Sequence, residues 1–195
     1  MAAGKTSHRR LKICCAVTAV LLVIIAVVAV TLAFTIFKPK DPIITLHPEG
    51  LQNITSGFSM FMNLTANYTF STVISIENPN YGSFLFKNTT AYVNYHGDLV
   101  GEAPIGGRRV PARVKLNLTT SVSLVPRRLL NNSLFPGDLA AERFNLTSTA
   151  TLPGKVSLLK IFKLHATVYN RCIISIFVHS RSSTVESICE TKIKS

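Results

Sequence analysis

The residues that most clearly point to a specific chemistry are asparagines in Asn-x-Ser/Thr triplets, whose side-chain amide accepts an N-linked sugar in the secretory pathway. Seven of the twelve Asn residues begin such a triplet, whereas the Ser and Thr content alone would give about two. The seven acceptors are Asn53, Asn63, Asn67, Asn88, Asn117, Asn131 and Asn145. We therefore predict glycosylation. The alternative is that Asn and Thr merely suit exposed strand faces.

Two of the four cysteines are placed to form a disulfide bond. Cys172 and Cys189 lie in strand-like segments, 172–178 and 184–193, joined by a turn near residues 180–183. A hairpin with that turn sets the two thiols opposite each other, and an oxidising compartment would bridge them. Two buried free thiols are the alternative. Cys14 and Cys15 lie in an apolar segment, where palmitoylation and a plain apolar role fit equally well.

No arrangement of nucleophiles, acids or metal ligands in the sequence is typical of an active site. Residues 57–61 (GFSMF) begin like a nucleophile elbow but lack its second Gly. The five His are scattered, there is no Cys-x-x-Cys pair, and the nine acidic residues are not spaced as paired carboxylates. The sequence therefore predicts no enzyme activity, no metal site and no cofactor.

An uncharged run at residues 13–37 determines on which side of a membrane the sugar acceptors and the C-terminal cysteines lie. As a helix it would span roughly 37 Å, enough to cross a hydrocarbon core of about 30 Å. A buried core helix would show a polar stripe, and a cleaved signal peptide would be shorter and end in small residues. We therefore predict an uncleaved transmembrane signal anchor. The basic tail, residues 1–12, then lies in the cytosol and residues 38–195 in the lumen or outside the cell.

The segment beyond this helix alternates apolar and polar residues with the period of a β-strand. In residues 60–77 and 114–124 the alternation places Asn63, Asn67 and Asn117 on the solvent face, where a sugar would not disturb a core. Glycosylation is therefore expected most at these three residues.

Turn residues divide the rest of this segment into short strands. Asn-Pro-Asn at 78–80, Gly-Gly at 106–107, Pro-Gly-Asp at 136–138 and Pro-Gly at 153–154 are the interruptions. Short strands without long helical patterns predict a mainly β protein, an antiparallel β-sandwich behind one transmembrane helix. Residues 38–55 are expected to be a stalk or first strand, and residues 56–195 the sandwich domain.

The basic tail and the membrane helix are followed by three characteristic stretches: VISIENPNYGSFLF at 73–86, VPARVKLNLTTSVSL at 110–124 and TLPGKVSLLKIFKLHATVYNRC at 151–172. This order of features resembles the group 2 late embryogenesis abundant family of plants, which includes harpin-induced and non-race-specific disease resistance-like membrane proteins. The resemblance implies an immunoglobulin- or fibronectin-like sandwich, a role in stress or defence at a membrane, and no catalytic residues. The plasma membrane is the expected location.

The formal net charge of +12 requires its own interpretation. The densest basic positions beyond the helix are Arg108, Arg109, Arg113, Arg127 and Arg128. Such a patch would attract anionic cell-wall polysaccharide, lipid head groups or other membrane proteins. A solvated face that keeps the domain soluble is the alternative. Nucleic acid is not an expected partner, because the basic domain lies on the wrong side of the membrane.

Three classes of function remain after these arguments. The first is a membrane-anchored, non-enzymatic glycoprotein of defence or abiotic stress response. The second is a module that binds a lipid or another apolar ligand, which an interior apolar cavity would support. The third is an enzyme, which would need polar groups that converge in a pocket.

Overall fold

The computed structural model describes residues 4–36, 40–47, 67–158, 162–178 and 183–194, and the chain divides into two compact units, Met1–Pro39 and Lys40–Ser195. The first unit is helix α1, Gly4–Ile36. Its stretch Lys12–Leu32 is long and apolar enough to cross a membrane, and all its side chains are exposed. The hydroxyls of Thr18 and Thr31 donate to carbonyl oxygens of the preceding turn, so both are hydrogen-bonded within the helix.

The second unit is an antiparallel β-sheet with two short helices. The strands are β1 (Ile43–His47), β2 (Tyr68–Glu77), β3 (Ser83–Phe86), β4 (Thr89–Tyr95), β5 (Asp98–Ile105), β6 (Arg109–Val110), β7 (Lys115–Leu124), β8 (Arg143–Leu158), β9 (Phe162–Val178) and β10 (Ser183–Lys194). Helices α2 (Pro126–Leu130) and α3 (Phe135–Ala140) lie between β7 and β8. The prediction of an N-terminal apolar helix followed in the chain by a mainly antiparallel β fold is confirmed.

The long strand β8 connects two parts of the sheet. Its first half pairs with β4, which continues the order β1-β2-β7-β5-β4, and its second half pairs with β3, which is followed by β6. Along its other edge it pairs with β9, which pairs with β10. β10 then lies against β1, where Ser187 Oγ donates to the Leu46 carbonyl. The result is a sandwich that closes into a barrel-like sheet.

The alternation predicted from the sequence holds in β2, where Phe70, Ile74 and Ile76 face the core and Thr69 and Ser71 are exposed. Ser75 departs from it, because it is only 2% exposed on the outer side. The imidazole of His47 and the amide of Asn117 cover it from the neighbouring strands. Residues 60–66 of the predicted strand lie outside the described residues.

Two predicted turns are wrong. Pro153 and Gly154 lie inside β8, where Pro153 falls between the residues that pair with β4 and those that pair with β3. Its missing N–H therefore costs no bond to either strand on that side. Gly154 lies so close to the Phe84 ring and the Leu85 carbonyl that a Cβ would clash with them. Pro136, Gly137 and Asp138 form part of α3, where Pro occupies the first turn.

The start of β9 differs from the prediction, and the structure resolves the open assignment of residues 38–55 in part. β9 begins at Phe162, ten residues before the predicted strand at 172. β1 lies within the range that the sequence left open as a stalk or first strand, and it pairs with β2 over five residues. It therefore belongs to the folded sheet unit.

Candidate functional site

The glycosylation acceptors within the described residues are all exposed: Asn67, Asn88, Asn117, Asn131 and Asn145. Asn53 and Asn63 lie outside the described residues. Two acceptors are oriented by their amide oxygen, which accepts a hydrogen bond from Ser75 Oγ at Asn117 (2.7 Å) and from the Gly107 N–H at Asn88 (2.6 Å). The amide nitrogen, which would carry the sugar, takes no part in these bonds. Occupancy of the seven positions stays a prediction.

The predicted disulfide between Cys172 and Cys189 is confirmed. The two residues are direct register partners in the β9–β10 ladder, with their Cα atoms 4.0 Å apart. The bond therefore fixes the middle of β10 to β9. Cys14 and Cys15 are exposed free thiols of α1.

The structure separates the five predicted arginines into two groups at opposite ends of the sheet. Arg108, Arg109 and Arg113 lie at the end where the chain joins the sheet unit at Lys40. Arg127 and Arg128 lie in α2 at the other end, where Arg128 donates to the Leu99 carbonyl. The ten residues of β7 separate the groups by roughly 30 Å, so the five side chains do not form one patch.

The end at Lys40, here called the basic end, carries many more cations than the sequence prediction recognised. All are exposed: Lys40, Lys87, Arg108, Arg109, Arg113, Lys115, Lys155, Lys163, Lys192 and Lys194. The two carboxylates described at this end are Asp41 and Glu77, and Asp41 already accepts a hydrogen bond from the Ile193 N–H. Within the described part of the chain, none of these ten cations lies within 4.0 Å of a carboxylate oxygen. Counting the described residues alone, ten cations against two carboxylates give the basic end a formal charge of +8.

A row of exposed residues crosses four strands of the basic end. Arg109 of β6 pairs with Leu85 of β3, Leu85 pairs with Lys155 of β8, and Lys155 pairs with His165 of β9. Leu85 thus lies between the cations Arg109 and Lys155, so charged and apolar side chains are mixed on this surface.

Exposed apolar side chains accompany these cations. Five large ones at the basic end have exposed fractions between 40% and 55%: Ile43, Tyr81, Leu85, Val114 and Leu164. The Tyr81 ring also lies 4.1 Å from the Arg113 guanidinium carbon, a cation–π contact. The basic end is thus amphipathic as well as cationic.

The Asn-Pro-Asn turn organises the backbone at the basic end. Asn78 is 4% exposed, and its amide nitrogen donates to the carbonyl oxygens of Gly82 (2.8 Å) and Pro111 (3.0 Å). The Asn80 amide forms a two-bond pair with the backbone of Lys40, both bonds at 2.7 Å. The turn therefore joins β2, the loop before β7 and the point where the chain joins the sheet.

The opposite end, here called the distal end, contains a hydrogen-bond network centred on Asp138. The Tyr95 hydroxyl donates to Asp138 Oδ2 at 2.7 Å, and His96 Nε2 donates to the same oxygen at 3.1 Å. The hydrogen bond from Tyr95, followed by that from His96, lowers the pKa of Asp138, while burial and then the hydrogen bond to Asp138 raise the pKa of Tyr95. Phe135 and Phe144 pack edge-to-face on the buried Tyr95 ring.

No chemically competent cluster appears among the described residues. A search of them for three or more His, Cys, Asp or Glu side chains around a metal position finds none. His47 Nε2 lies 3.0 Å from Ser75 Oγ, but the Ser75 proton is directed to the Asn117 amide oxygen and Ser75 is buried. This serine–histidine contact is therefore suited to joining strands and not to nucleophilic attack.

Two small cavities lie within the sheet unit. Ile44, Leu46, Ile74 and Asn170 contribute to one of about 30 Å³, and Ile76, Phe84 and Val168 contribute to one of about 20 Å³. Each has room for one or two water molecules. A pocket for a drug-sized ligand occupies on the order of 300 Å³ or more, so neither cavity could hold a lipid chain.

Sequence reasoning missed most of the basic end because its cations are scattered along the chain. Lys87 and Lys155 are isolated in the sequence, and Lys163 and Lys194 each have one other lysine nearby. Only the direction of each strand brings these four residues to one end. The sequence did contain one clue to their grouping, because each of these lysines lies at or near the boundary of a strand-like segment.

Comparisons with known proteins provide independent evidence of ancestry. No family model matches the chain. A crystal structure of a protein from Archaeoglobus fulgidus covers 67% of this chain and 86% of its own, with 8% identity and a TM-score of 0.35. A late embryogenesis abundant protein of Arabidopsis thaliana is 31% identical over 149 residues, which cover 75% of this chain and 69% of the relative. This chain therefore belongs to the late embryogenesis abundant protein family.

Proposed function

We propose that this protein is a single-pass, non-enzymatic membrane glycoprotein that contributes to plant defence or abiotic stress response through an extracytosolic β domain. The observation that carries the proposal is α1, whose apolar stretch Lys12–Leu32 leaves its side chains exposed. Exposed apolar side chains over that length are stable in a bilayer and unfavourable in water. Family membership supports a stress-related role in a general sense.

The finer assignments rest on the sequence arguments. Membership of the group 2 subfamily, with a harpin-induced-like character, follows from the order of motifs around Asn78 and Asn80. The lumenal or extracellular side follows from the basic tail before the helix. That orientation would expose Asn67, Asn88, Asn117, Asn131 and Asn145 to the glycosylation machinery and would let the Cys172–Cys189 bond form.

The second candidate, a module that binds an apolar ligand, gains no support from cavities of about 20 and 30 Å³. The enzyme reading gains none from the buried contact between His47 and Ser75. We therefore propose only the membrane-anchored protein.

Membrane anchorage and orientation can be tested with the full chain in sealed microsomes. We expect the protein to stay in the pellet after alkaline carbonate extraction, and a C-terminal epitope to resist added protease until detergent opens the vesicles. Endoglycosidase should increase gel mobility in several steps. Release by carbonate, with a new N-terminus beyond residue 37, would instead identify a cleaved signal peptide and a secreted protein.

The stress role needs a separate test in the plant. Loss of the gene should alter survival under drought or pathogen challenge, and the full chain should restore it. A matched chain without residues 1–37, directed to the secretory pathway by another signal, should not restore it if anchorage is required.

A further inference from the structure

The basic end of the sheet domain has the composition of a surface that lies on a membrane. Its ten cations and two carboxylates contrast with the distal end, where Arg127, Arg128 and Arg143 are matched by Asp98, Asp138 and Glu142. The +8 formal charge of the basic end is thus an asymmetry within one folded unit. A solvated face that only maintained solubility would not need to be confined to one end.

The apolar residues of the basic end distinguish a membrane from a soluble polyanion. Ile43, Tyr81, Leu85, Val114 and Leu164 remain 40% to 55% exposed between the cations. Tyr at a lipid interface places its ring among the head groups and its hydroxyl in water, and cations beside apolar side chains are typical of interfacial surfaces. A polysaccharide chain would use the charges but not the Leu and Ile side chains.

Covalent connection limits how far the same end can lie from the bilayer that α1 would cross. Residues 37–39 join Ile36 to Lys40, and four extended steps of chain span at most about 14 Å. The Asn80 amide holds the Lys40 backbone by two 2.7 Å bonds, which favours the state in which β1 stays paired in the sheet and the connection stays short. An end tethered this closely meets lipid head groups at high effective concentration.

From these observations we propose that the basic end docks on the anionic head groups of the membrane that holds α1, with Arg109, Lys155 and Leu85 at the centre of the contact. The proposal rests on the membrane anchorage proposed above. Its partner is a lipid surface, and the alternative partner, an anionic polysaccharide, is separated from it by the experiment below.

The experiment uses the full chain in nanodiscs and exploits the fact that the sequence contains no Trp. Leu164→Trp puts one reporter at the basic end, and Leu134→Trp puts a matched reporter at the distal end, because both side chains are about half exposed. Energy transfer from Trp to a dansyl-labelled lipid is compared in phosphatidylcholine alone and in phosphatidylcholine mixed with phosphatidylglycerol.

We expect about two-fold more transfer from Leu164→Trp in the anionic bilayer than in the neutral one, since each cation near an anionic surface adds to the attraction. Salt near 1 M, where the screening length falls to about 3 Å, should remove the difference. Adding Arg109→Glu and Lys155→Glu should remove it too, whereas adding Arg127→Glu and Arg128→Glu should not.

Equal transfer in the two bilayers, or a larger lipid effect at Leu134→Trp, would overturn the proposal. Binding of soluble polygalacturonate that is lost in the Arg109→Glu, Lys155→Glu variant, without any lipid effect, would assign the same cations to polysaccharide instead. Failure of the protein to enter nanodiscs would refute the anchorage itself, so the two proposals fail in different ways. Thermal unfolding of each variant in neutral nanodiscs verifies that the charge changes leave the fold intact.

Discussion

The two ends of the sheet domain share most of their strands, yet their side chains make different kinds of contact. At the distal end, Asp138 accepts hydrogen bonds from Tyr95 and His96, and two Phe rings enclose the Tyr95 ring. At the basic end, the buried polar group is Asn78, which bonds only to backbone, while the charged side chains remain unpaired with carboxylates within the described residues.

The difference separates residues that hold the fold from residues that are free to bind. Internal pairs such as Tyr95 and Asp138 cannot engage a partner without breaking a bond that stabilises the domain. Exposed cations such as Arg109 and Lys155 can engage one at almost no cost to folding. The following predictions test this separation, from the largest expected change in stability to the smallest.

Replacing Asn78 by Ala should cost about 3 kcal/mol of unfolding free energy, because the carbonyls of Gly82 and Pro111 lose their donor at a largely buried site. The measurement is chemical denaturation of the detergent-solubilised chain. Asn80→Ala is the matched control, since its bonds to Lys40 are exposed, and it should cost about 1 kcal/mol or less. Equal losses for the two variants would contradict the assigned role of Asn78.

Removing the disulfide with Cys172→Ala and Cys189→Ala should cost up to about 3 kcal/mol, the chain-entropy value for a closed loop of this length. Maleimide labelling of the denatured full chain should detect two thiols before reduction, those of Cys14 and Cys15, and four after it. Four labels before reduction would mean that the bond does not form in the cell.

Tyr95→Phe at the distal end should cost about 1.5 kcal/mol near neutral pH, because a hydrogen bond to a carboxylate is lost while the ring packing is kept. His96→Gln is the control that removes only the more exposed partner of Asp138, and it should cost less. An unchanged unfolding free energy in Tyr95→Phe would show that water replaces the lost hydrogen bond.

The hydrogen-bond network around Asp138 should make the stability of the domain depend on pH in the acid range. Because the folded pKa of Asp138 lies below its ordinary 3.8, its contribution is present above that value and is lost as the pH falls through the folded pKa. Asp138→Asn should therefore flatten the stability curve in this acid range and leave its shape unchanged near neutrality. Melting temperatures measured between about pH 2 and pH 7, a range that spans carboxyl titration and reaches neutrality, provide the test.

The smallest change in stability is expected at the basic end. Arg109→Glu with Lys155→Glu should change the unfolding free energy by less than about 0.5 kcal/mol, because both side chains are exposed and unpaired within the described residues. A loss above 1 kcal/mol, on the order of a buried hydrogen bond, would show that these cations stabilise the sheet and would weaken the separation between the two ends.

The sequence was sufficient for the features that depend on local pattern. Alternation located β2 and β7, and the spacing of Cys172 and Cys189 about one turn predicted their register. The length and composition of the uncharged run located α1. Each of these inferences needs only neighbours in the chain.

Features that depend on strand partners were missed. Pro153 and Gly154 have the composition of a turn, but a gap between two partner strands tolerates the Pro and the Phe84 ring requires the Gly. The basic end was missed for the same reason, because Lys87 and Lys163 lie at the same end only after the sheet has formed. Five arginines, by contrast, were grouped by sequence density although the length of β7 separates them.

The pair of bonds between Asn80 and Lys40 also has a mechanical consequence. Tension on the chain between helix and domain would reach the sheet at Lys40, so these two bonds carry the load before the β1–β2 ladder does. β1 contacts β10 through side-chain bonds such as that of Ser187. Once the Asn80 bonds break, β1 would separate from β2 one residue at a time and open the sheet between these two strands. A single amide side chain thus acts as the domain's first barrier against extraction by force.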